Sequence, residues 1–169
     1  MVACGHSFGG QAVTELDTAN ITRMVMLAAF LPDEREWFVG TPATEKFLEM
    51  VATDSAGTMV PRPDRAGEVF YTDCSDSDTA WAISNLCPGS ATSIRHVVDR
   101  PAWRQVPSMY VQCSLDNVLT QDYMGAAAAR VGRGICMPTS HSPMISRPDL
   151  VADLLNSVVA ELRTESRPS

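Results

Sequence analysis

The segment at residues 5–9 reads Gly-His-Ser-Phe-Gly, and its residue types and spacing are suited to nucleophilic chemistry. The pattern G-x-S-x-G is typical of a nucleophile elbow, which is a sharp turn from a strand into a helix that holds a serine hydroxyl clear of the backbone. An apolar run precedes it at residues 1–4, and a helix-compatible stretch follows at 10–16. We expect a β-carbon at either glycine of this pattern to clash with the neighbouring strand and helix. The segment predicts Ser7 as a nucleophile, and the alternative is a glycine-rich turn with a structural serine.

A serine hydroxyl needs a base within hydrogen-bond reach, and the sequence contains three histidines. His6 is adjacent to Ser7, and neighbouring side chains on a tight turn point in different directions, so we expect it to pack near the site. His96 lies in an irregular region and is predicted to be a surface or lid residue. His141 lies between a short strand and the final helix, where an elbow architecture delivers its base. His141 is therefore the predicted base; its alternative is a turn histidine that caps a helix.

The base needs an orienting carboxylate, and Asp116 follows the strand that ends at Cys113. Loops at the carboxyl ends of parallel strands are where such sheets collect functional groups. Asp122 is the alternative, but it is predicted to lie in the first turn of a helix, where a carboxylate is favourable for helix reasons alone. The developing oxyanion needs backbone donors, and the N–H of Phe8 is the predicted first one.

The arrangement of apolar runs predicts an α/β protein with a mainly parallel sheet and flanking helices. Strands are predicted at 1–4, 23–30, 106–113 and 135–137, and helices at 10–19, 121–131 and 148–162. The region from about 33 to 102 alternates prolines, Asp/Ser clusters and short amphipathic pieces, which indicates a helical or irregular cap insertion. Within it we expect helices at 44–52 and 75–86, with Trp81 and Leu86 facing inward, and a loop over 53–67 because of Pro61 and Pro63.

Composition narrows the range of functions. A chain of 169 residues with 45% hydrophobic residues is suited to one domain with a sizeable core. The net charge of −7 argues against nucleic acid and anionic membrane surfaces as partners, and we find no run long enough to span a bilayer. The five cysteines show neither metal-ligand spacing nor a disulfide pattern, so we predict no metal and a reducing, cytoplasmic location. Cys4 and Cys113 are predicted to be small buried hydrophobes.

Taken together, these segments resemble the α/β-hydrolase fold superfamily, in particular its small actinobacterial hydrolases and, more distantly, plant methylesterases and hydroxynitrile lyases. The segments that carry the resemblance are residues 5–10, 27–32, 69–74, 106–113 with Asp116, and 140–143 with Pro148. The resemblance implies Ser7 as nucleophile, Asp116 as acid and His141 as base. It also implies that residues 1–169 form a single domain, the C-terminal part of the fold, with a cap at about 33–102.

The chain departs from the family pattern at its start. Members of this family carry several strands before the elbow, including a loop that supplies the second oxyanion donor, whereas this sequence begins on the strand of the elbow itself. We therefore expect an N-terminally truncated chain whose first strand lies at an open sheet edge. We expect that two copies of the chain can pair through that edge as a homodimer.

The expected activity is hydrolysis of a small ester through an acyl-enzyme, without a cofactor. Aromatic residues of the predicted cap suggest a largely apolar substrate pocket, in which we expect Trp37, Phe70 and Trp81. One alternative is a catalytically impaired homologue that only binds a ligand or partner. Another is a hydroxynitrile lyase; the related plant enzymes use a lysine near the site, whereas the single lysine here, Lys46, lies in the predicted cap, which argues against this alternative.

Overall fold

Two β-sheets and seven α-helices make up the computed structural model, which describes residues 1–36, 42–90 and 96–165. The elements in chain order are β1 (Val2–His6), α1 (Gly9–Thr14), β2 (Arg23–Leu27), α2 (Glu45–Met50), β3 (Val51–Thr53), β4 (Thr58–Pro61), α3 (Pro63–Phe70), α4 (Asp76–Ser84), β5 (Gly89–Ser90), β6 (Ser108–Cys113), α5 (Gln121–Val131), β7 (Gly134–Met137), α6 (Pro143–Ser146) and α7 (Pro148–Glu165). The predicted α/β architecture is confirmed.

The larger sheet has the strand order β1-β2-β6-β7, and all three pairings are parallel. The central strands β2 and β6 are almost wholly buried, which explains why their sequences are continuous apolar runs rather than alternating ones. β2 ends at Leu27, before the predicted Phe30, because Ala28 adopts a φ of +40° and leaves the strand. Residues 28–31 nevertheless stay buried in the core.

Of the three helices predicted around this sheet, one has the predicted bounds and two differ from them. α5 has the predicted bounds, and Gly132 directly after it has a φ of +71° and forms a left-handed C-cap. α7 continues past the predicted Leu162 to Glu165, whose carboxylate binds the Arg23 guanidinium at 2.6 Å. α1 is shorter than predicted, because Asp17 caps a separate 3₁₀ turn over Thr18–Asn20 by accepting a hydrogen bond from the N–H of Ala19.

The region between β2 and β6 contains more regular structure than the sequence indicates. The predicted loop over 53–67 is wrong, because β4 and the start of α3 lie within it. Pro63 occupies the first turn of α3, where a missing N–H costs no helical hydrogen bond. Strands β3, β4 and β5 form a small antiparallel sheet. The predicted helices at 44–52 and 75–86 are present in shortened form as α2 and α4, capped by Thr44 and Ser75.

Two predicted buried side chains lie at the surface instead. Trp81, on α4, is 62% exposed, so its predicted inward orientation is wrong. Cys4 is also exposed, because β1 lies at the end of the sheet and pairs with β2 alone among the described strands. Cys113 on the inner strand β6 is buried as predicted, and burial raises the pKa of its thiol to about 12. The predicted homodimer through the β1 edge stays a prediction.

Among the described residues, no helix combines the length and the apolar character needed to cross a bilayer.

The glycines of the elbow differ in how closely other atoms approach them. A β-carbon at Gly5 would lie 2.5 Å from Val13 Cγ2, in agreement with the predicted clash. A β-carbon at Gly9 would meet nothing within 4 Å, so the clash predicted there is wrong. The tightest position is Gly10, where a β-carbon would lie 2.2 Å from the carbonyl oxygen of Phe30. Gly10 therefore allows α1 to pack directly on the chain that leaves β2.

We expect Gly10→Ala to lower the free energy of unfolding by about 3 kcal/mol or more, since the nearest atom that its methyl group would strike is a backbone carbonyl oxygen, which cannot rotate away. Urea unfolding followed by circular dichroism measures the change. Gly9→Ala is the matched control, and we expect its midpoint to equal or slightly exceed that of the unaltered protein, because the added methyl enters open space on a helix. Equal midpoints for the two variants would refute the packing argument.

Candidate active site

Ser7 lies between β1 and α1 in the turn that the motif predicts. Its φ is +51°, a left-handed conformation that is uncommon for a residue with a side chain. Main-chain hydrogen bonds hold it there: its N–H donates to Leu27 O at 3.3 Å, and its carbonyl oxygen accepts from Gly10 N and Phe30 N at 3.0 and 2.9 Å. The turn is thus fixed to both β2 and α1, and this accounts for a strained residue at this position.

His141 lies in the loop between β7 and α6 and is almost completely buried, with 1% of its surface exposed. Its Nε2 lies 2.8 Å from Ser7 Oγ, and its Nδ1 lies 2.8 Å from Asp116 Oδ2. A carboxylate oxygen accepts only, so Nδ1 carries a proton, and Nε2 of the neutral ring is left to accept from the serine hydroxyl. In this state the ring has the tautomer that a general base for Ser7 requires.

Asp116 lies in the loop after β6, and its side chain is fully buried. Its Oδ1 accepts hydrogen bonds from the N–H groups of Val118 and Leu119 at 2.6 and 2.9 Å, so Oδ2 is left to face His141. Asp122, the alternative acid, lies in the first turn of α5 and is exposed. The structure therefore brings together the three residues Ser7, Asp116 and His141 and leaves Asp122 outside the group.

His6 makes a contact that the sequence did not reveal. Its Nε2 lies 2.7 Å from the main-chain carbonyl oxygen of His141, and its ring centroid is 4.8 Å from that of His141. Since a carbonyl oxygen can only accept, Nε2 of His6 carries a proton and donates it. Sequence reasoning placed His6 near the site, but this partner depends on where the loop of residue 141 folds.

Burial, the largest effect, and the neighbouring His141 ring together lower the pKa of His6 to about 4, while its hydrogen bond to the His141 carbonyl oxygen and the Asp116 carboxylate act in the opposite direction. In the unfolded chain the same ring takes up a proton near pH ~6.5. Between these values the unfolded state binds more protons than the folded state. The contribution of His6 to stability is therefore present above pH ~6.5 and is lost progressively as the pH falls toward 4.

The loop that carries His141 is also bound to the segment between β2 and β6. The N–H of Ser140 donates to Asp73 Oδ2 at 3.0 Å, and its hydroxyl donates to the carbonyl oxygen of Phe70 at 3.2 Å. Sequence reasoning missed Asp73, because an aspartate just before a helix cap is typical of an ordinary turn. These two hydrogen bonds fix the loop independently of its contacts with the elbow.

The three predicted substrate-binding aromatics have different positions. The Phe70 ring lies 5.9 Å from the His141 ring and 6.1 Å from the Phe47 ring, so it places an apolar side chain beside His141. Trp81 is exposed on α4. Trp37 lies outside the described residues.

Phe8, the predicted oxyanion donor, is the N-cap residue of α1. Its backbone N–H donates no hydrogen bond within residues 1–36, 42–90 and 96–165 and is therefore available to an acceptor next to Ser7. Over the same residues, no group of three or more His, Cys, Asp or Glu side chains is arranged to hold a metal ion.

The fold agrees with comparisons to known proteins. The sequence matches the profile of the Alpha/beta hydrolase family over residues 2–154, and the chain belongs to that family. A curated relative, alpha/beta hydrolase nvfD of Aspergillus novofumigatus (strain IBT 16806), is 23% identical over 178 residues, which cover 95% of this chain and 70% of the relative. The family places the chain among hydrolases.

Solved structures share the fold at low sequence identity. A pyrethroid hydrolase from Sphingobium faniae JZ-2 superimposes with a TM-score of 0.74 at 20% identity, over 92% of this chain and 69% of its own. Polyneuridine aldehyde esterase gives 0.76 at 19% identity, over 94% and 71%. The methylesterase MES16 from Arabidopsis gives 0.70 at 18% identity, over 94% and 69%.

Proposed function

We propose that this chain is a serine hydrolase that cleaves a small ester through an acyl-enzyme on Ser7, His141 and Asp116. The observation that carries the proposal is the position of the His141 imidazole, within 2.8 Å of both the Ser7 hydroxyl and the Asp116 carboxylate. A neutral imidazole between a hydroxyl and a buried carboxylate is the arrangement that activates serine for attack.

In the first half-reaction, Ser7 Oγ attacks the ester carbonyl carbon while His141 Nε2 takes the hydroxyl proton. Asp116 stabilises the resulting imidazolium through its hydrogen bond to Nδ1. The N–H of Phe8 donates to the oxyanion of the tetrahedral intermediate. When the intermediate collapses, the bond to the alcohol oxygen breaks, and His141 returns its proton to the leaving alcohol.

In the second half-reaction, water replaces the alcohol. His141 Nε2 takes a proton from the water as the water oxygen attacks the acyl carbon bound to Ser7 Oγ. Collapse of this second intermediate releases the carboxylic acid and returns the proton to Ser7. No cofactor enters this cycle, because each proton that leaves one group is accepted by another in the same site.

An ester with an apolar portion is the substrate class that we favour. The rings of Phe70 and Phe47 offer an apolar surface beside His141. The structural neighbours include an esterase and a methylesterase, and their names point to the same type of bond. The net charge of −7 favours neutral over anionic substrates.

A fluorophosphonate probe tests this proposal, because it reacts with a serine only when that serine is activated. We expect stoichiometric labelling of the folded protein, with the adduct mapped by peptide mass spectrometry to the segment that contains Ser7. The control is the same protein unfolded in urea, which should not react, because residues 7 and 141 are then apart. No adduct on the folded protein, or an adduct on another residue, would contradict the proposal.

The two alternatives give different results with simple substrates. Lys46 Nζ lies 3.3 Å from Asn117 Oδ1, so the only lysine of the chain contacts the residue next to Asp116. This contact is the observation in favour of a lyase. Release of cyanide from mandelonitrile, without hydrolysis of p-nitrophenyl acetate, would support the hydroxynitrile lyase. Binding of ligands without turnover of either compound would support a protein that only binds.

A further inference from the structure

Residues 6 and 7 are consecutive on the elbow, and both make a hydrogen bond to residue 141. Ser7 Oγ contacts Nε2 of the His141 ring at 2.8 Å, and His6 Nε2 contacts the main-chain oxygen of His141 at 2.7 Å. The base is therefore attached to the nucleophile turn at two atoms, one in its side chain and one in its backbone. We propose that His6 is a positioning residue, whose Nε2–H holds the His141 backbone so that the ring stays in reach of Ser7; this inference rests on the proposed function.

Two points define the direction of the His6 hydrogen bond and the charge of the His6 ring. The acceptor is a carbonyl oxygen, so the proton lies on Nε2 of His6. The charged form of His6 is disfavoured by its burial and by the neighbouring His141 ring, while its hydrogen bond to the His141 carbonyl oxygen and the Asp116 carboxylate oppose this. His6 therefore stays neutral when His141 becomes an imidazolium during the reaction. A neutral donor can hold the base without competing for its proton.

The remaining contacts of the loop explain why removal of this hydrogen bond leaves the fold intact. Ser140 is bound to Asp73 and to Phe70 O, and His141 itself keeps its bond to Asp116. None of these contacts joins the loop to the turn that carries Ser7. Without His6, the weak hydroxyl–imidazole contact is the one hydrogen bond left between the Ser7 turn and residue 141 among the described residues, and a displacement of about 1 Å between reacting groups can cost about 10²-fold in rate.

The test compares His6→Phe with His6→Gln. Phenylalanine keeps a planar ring but has no donor, whereas the amide nitrogen of glutamine reaches the place of Nε2 and can donate. We expect His6→Phe to lower kcat for p-nitrophenyl acetate and the rate of fluorophosphonate labelling by about 10- to 100-fold with KM changed less than about threefold. We expect His6→Gln to recover most of this loss.

His96→Phe is the matched control, because the same substitution is made at an exposed histidine that binds Glu15 instead of the site. It should behave as the unaltered protein. Unchanged kcat in His6→Phe would overturn the inference, as would an equal loss in His6→Gln and His6→Phe when both are folded by circular dichroism.

A second readout does not require activity. With three histidines in the chain, ring nitrogen and proton resonances can be assigned by NMR using the His6 and His96 variants. We expect His6 to be the neutral Nε2–H tautomer at pH 7 and to remain neutral at pH 5.5. A proton on Nδ1 at pH 7, or titration near pH 6.5, would overturn the inference even if the chain proved inactive, whereas absence of labelling in the unaltered protein would overturn only the proposed function.

Discussion

Ser7→Ala should abolish fluorophosphonate labelling and lower kcat/KM for p-nitrophenyl acetate by about 10⁵-fold or more. The reason is that the proposed reaction passes through a covalent bond to Oγ, which alanine lacks. His141 and Asp116 keep their hydrogen bond without it, but they have no nucleophile to activate. Initial rates over a range of substrate concentrations, together with gel-based labelling, measure both effects.

The matched control for this substitution is Ser84→Ala. Ser84 ends α4 and donates to the carbonyl oxygen of Trp81, at an exposed position. We expect its labelling and turnover to equal those of the unaltered protein. Retention of either activity in Ser7→Ala would show that another residue performs the chemistry, and the mechanism would then fail.

Asp116→Asn should lower kcat by about 10⁴-fold while the chain remains folded. Asp116 Oδ1 accepts two backbone N–H groups, from Val118 and Leu119. An asparagine must keep its oxygen at that position, which turns its amide NH₂ toward His141 Nδ1. Nδ1 then has to accept, so the proton of the neutral ring moves to Nε2. An Nε2–H group cannot take the proton of Ser7.

Asp122→Asn is the control for this prediction, since it makes the same change at the aspartate that sequence reasoning ranked second. Asp122 lies in the first turn of α5, where its negative charge interacts favourably with the helix dipole. We expect kcat of Asp122→Asn to stay within about twofold of the unaltered value. The steady-state kcat of the two variants decides between them. A loss in Asp122→Asn that equals the loss in Asp116→Asn would refute the assignment of the acid.

The residues at the candidate site could be predicted because each follows a local pattern. The spacing of glycines around Ser7 indicates a turn, and apolar runs before Asp116 and His141 indicate strands whose carboxyl ends meet at one edge of a parallel sheet. The structure places these three residues together without any adjustment of the predicted order. Local pattern, strand order and the Ser–Asp–His order of the elbow architecture were together sufficient to predict these three residues.

The remaining features depend on contacts between distant segments, which local pattern does not encode. The sheet of β3, β4 and β5 forms by pairing across residues 51–90, and none of its strands is longer than four residues. The close approach at Gly10 depends on the path of the chain after β2, and the bond from His6 depends on the loop after β7. Exposure of Cys4 follows from the place of β1 in the sheet.

The hydrogen bond between Ser7 and His141 joins residues that are 134 positions apart. These two residues meet only in the assembled sheet of β1, β2, β6 and β7, because no local interaction brings them into contact. Reactivity of the hydroxyl thus reports on completion of folding as a whole: a chain with native helices but a disordered sheet would carry every site residue and remain inert.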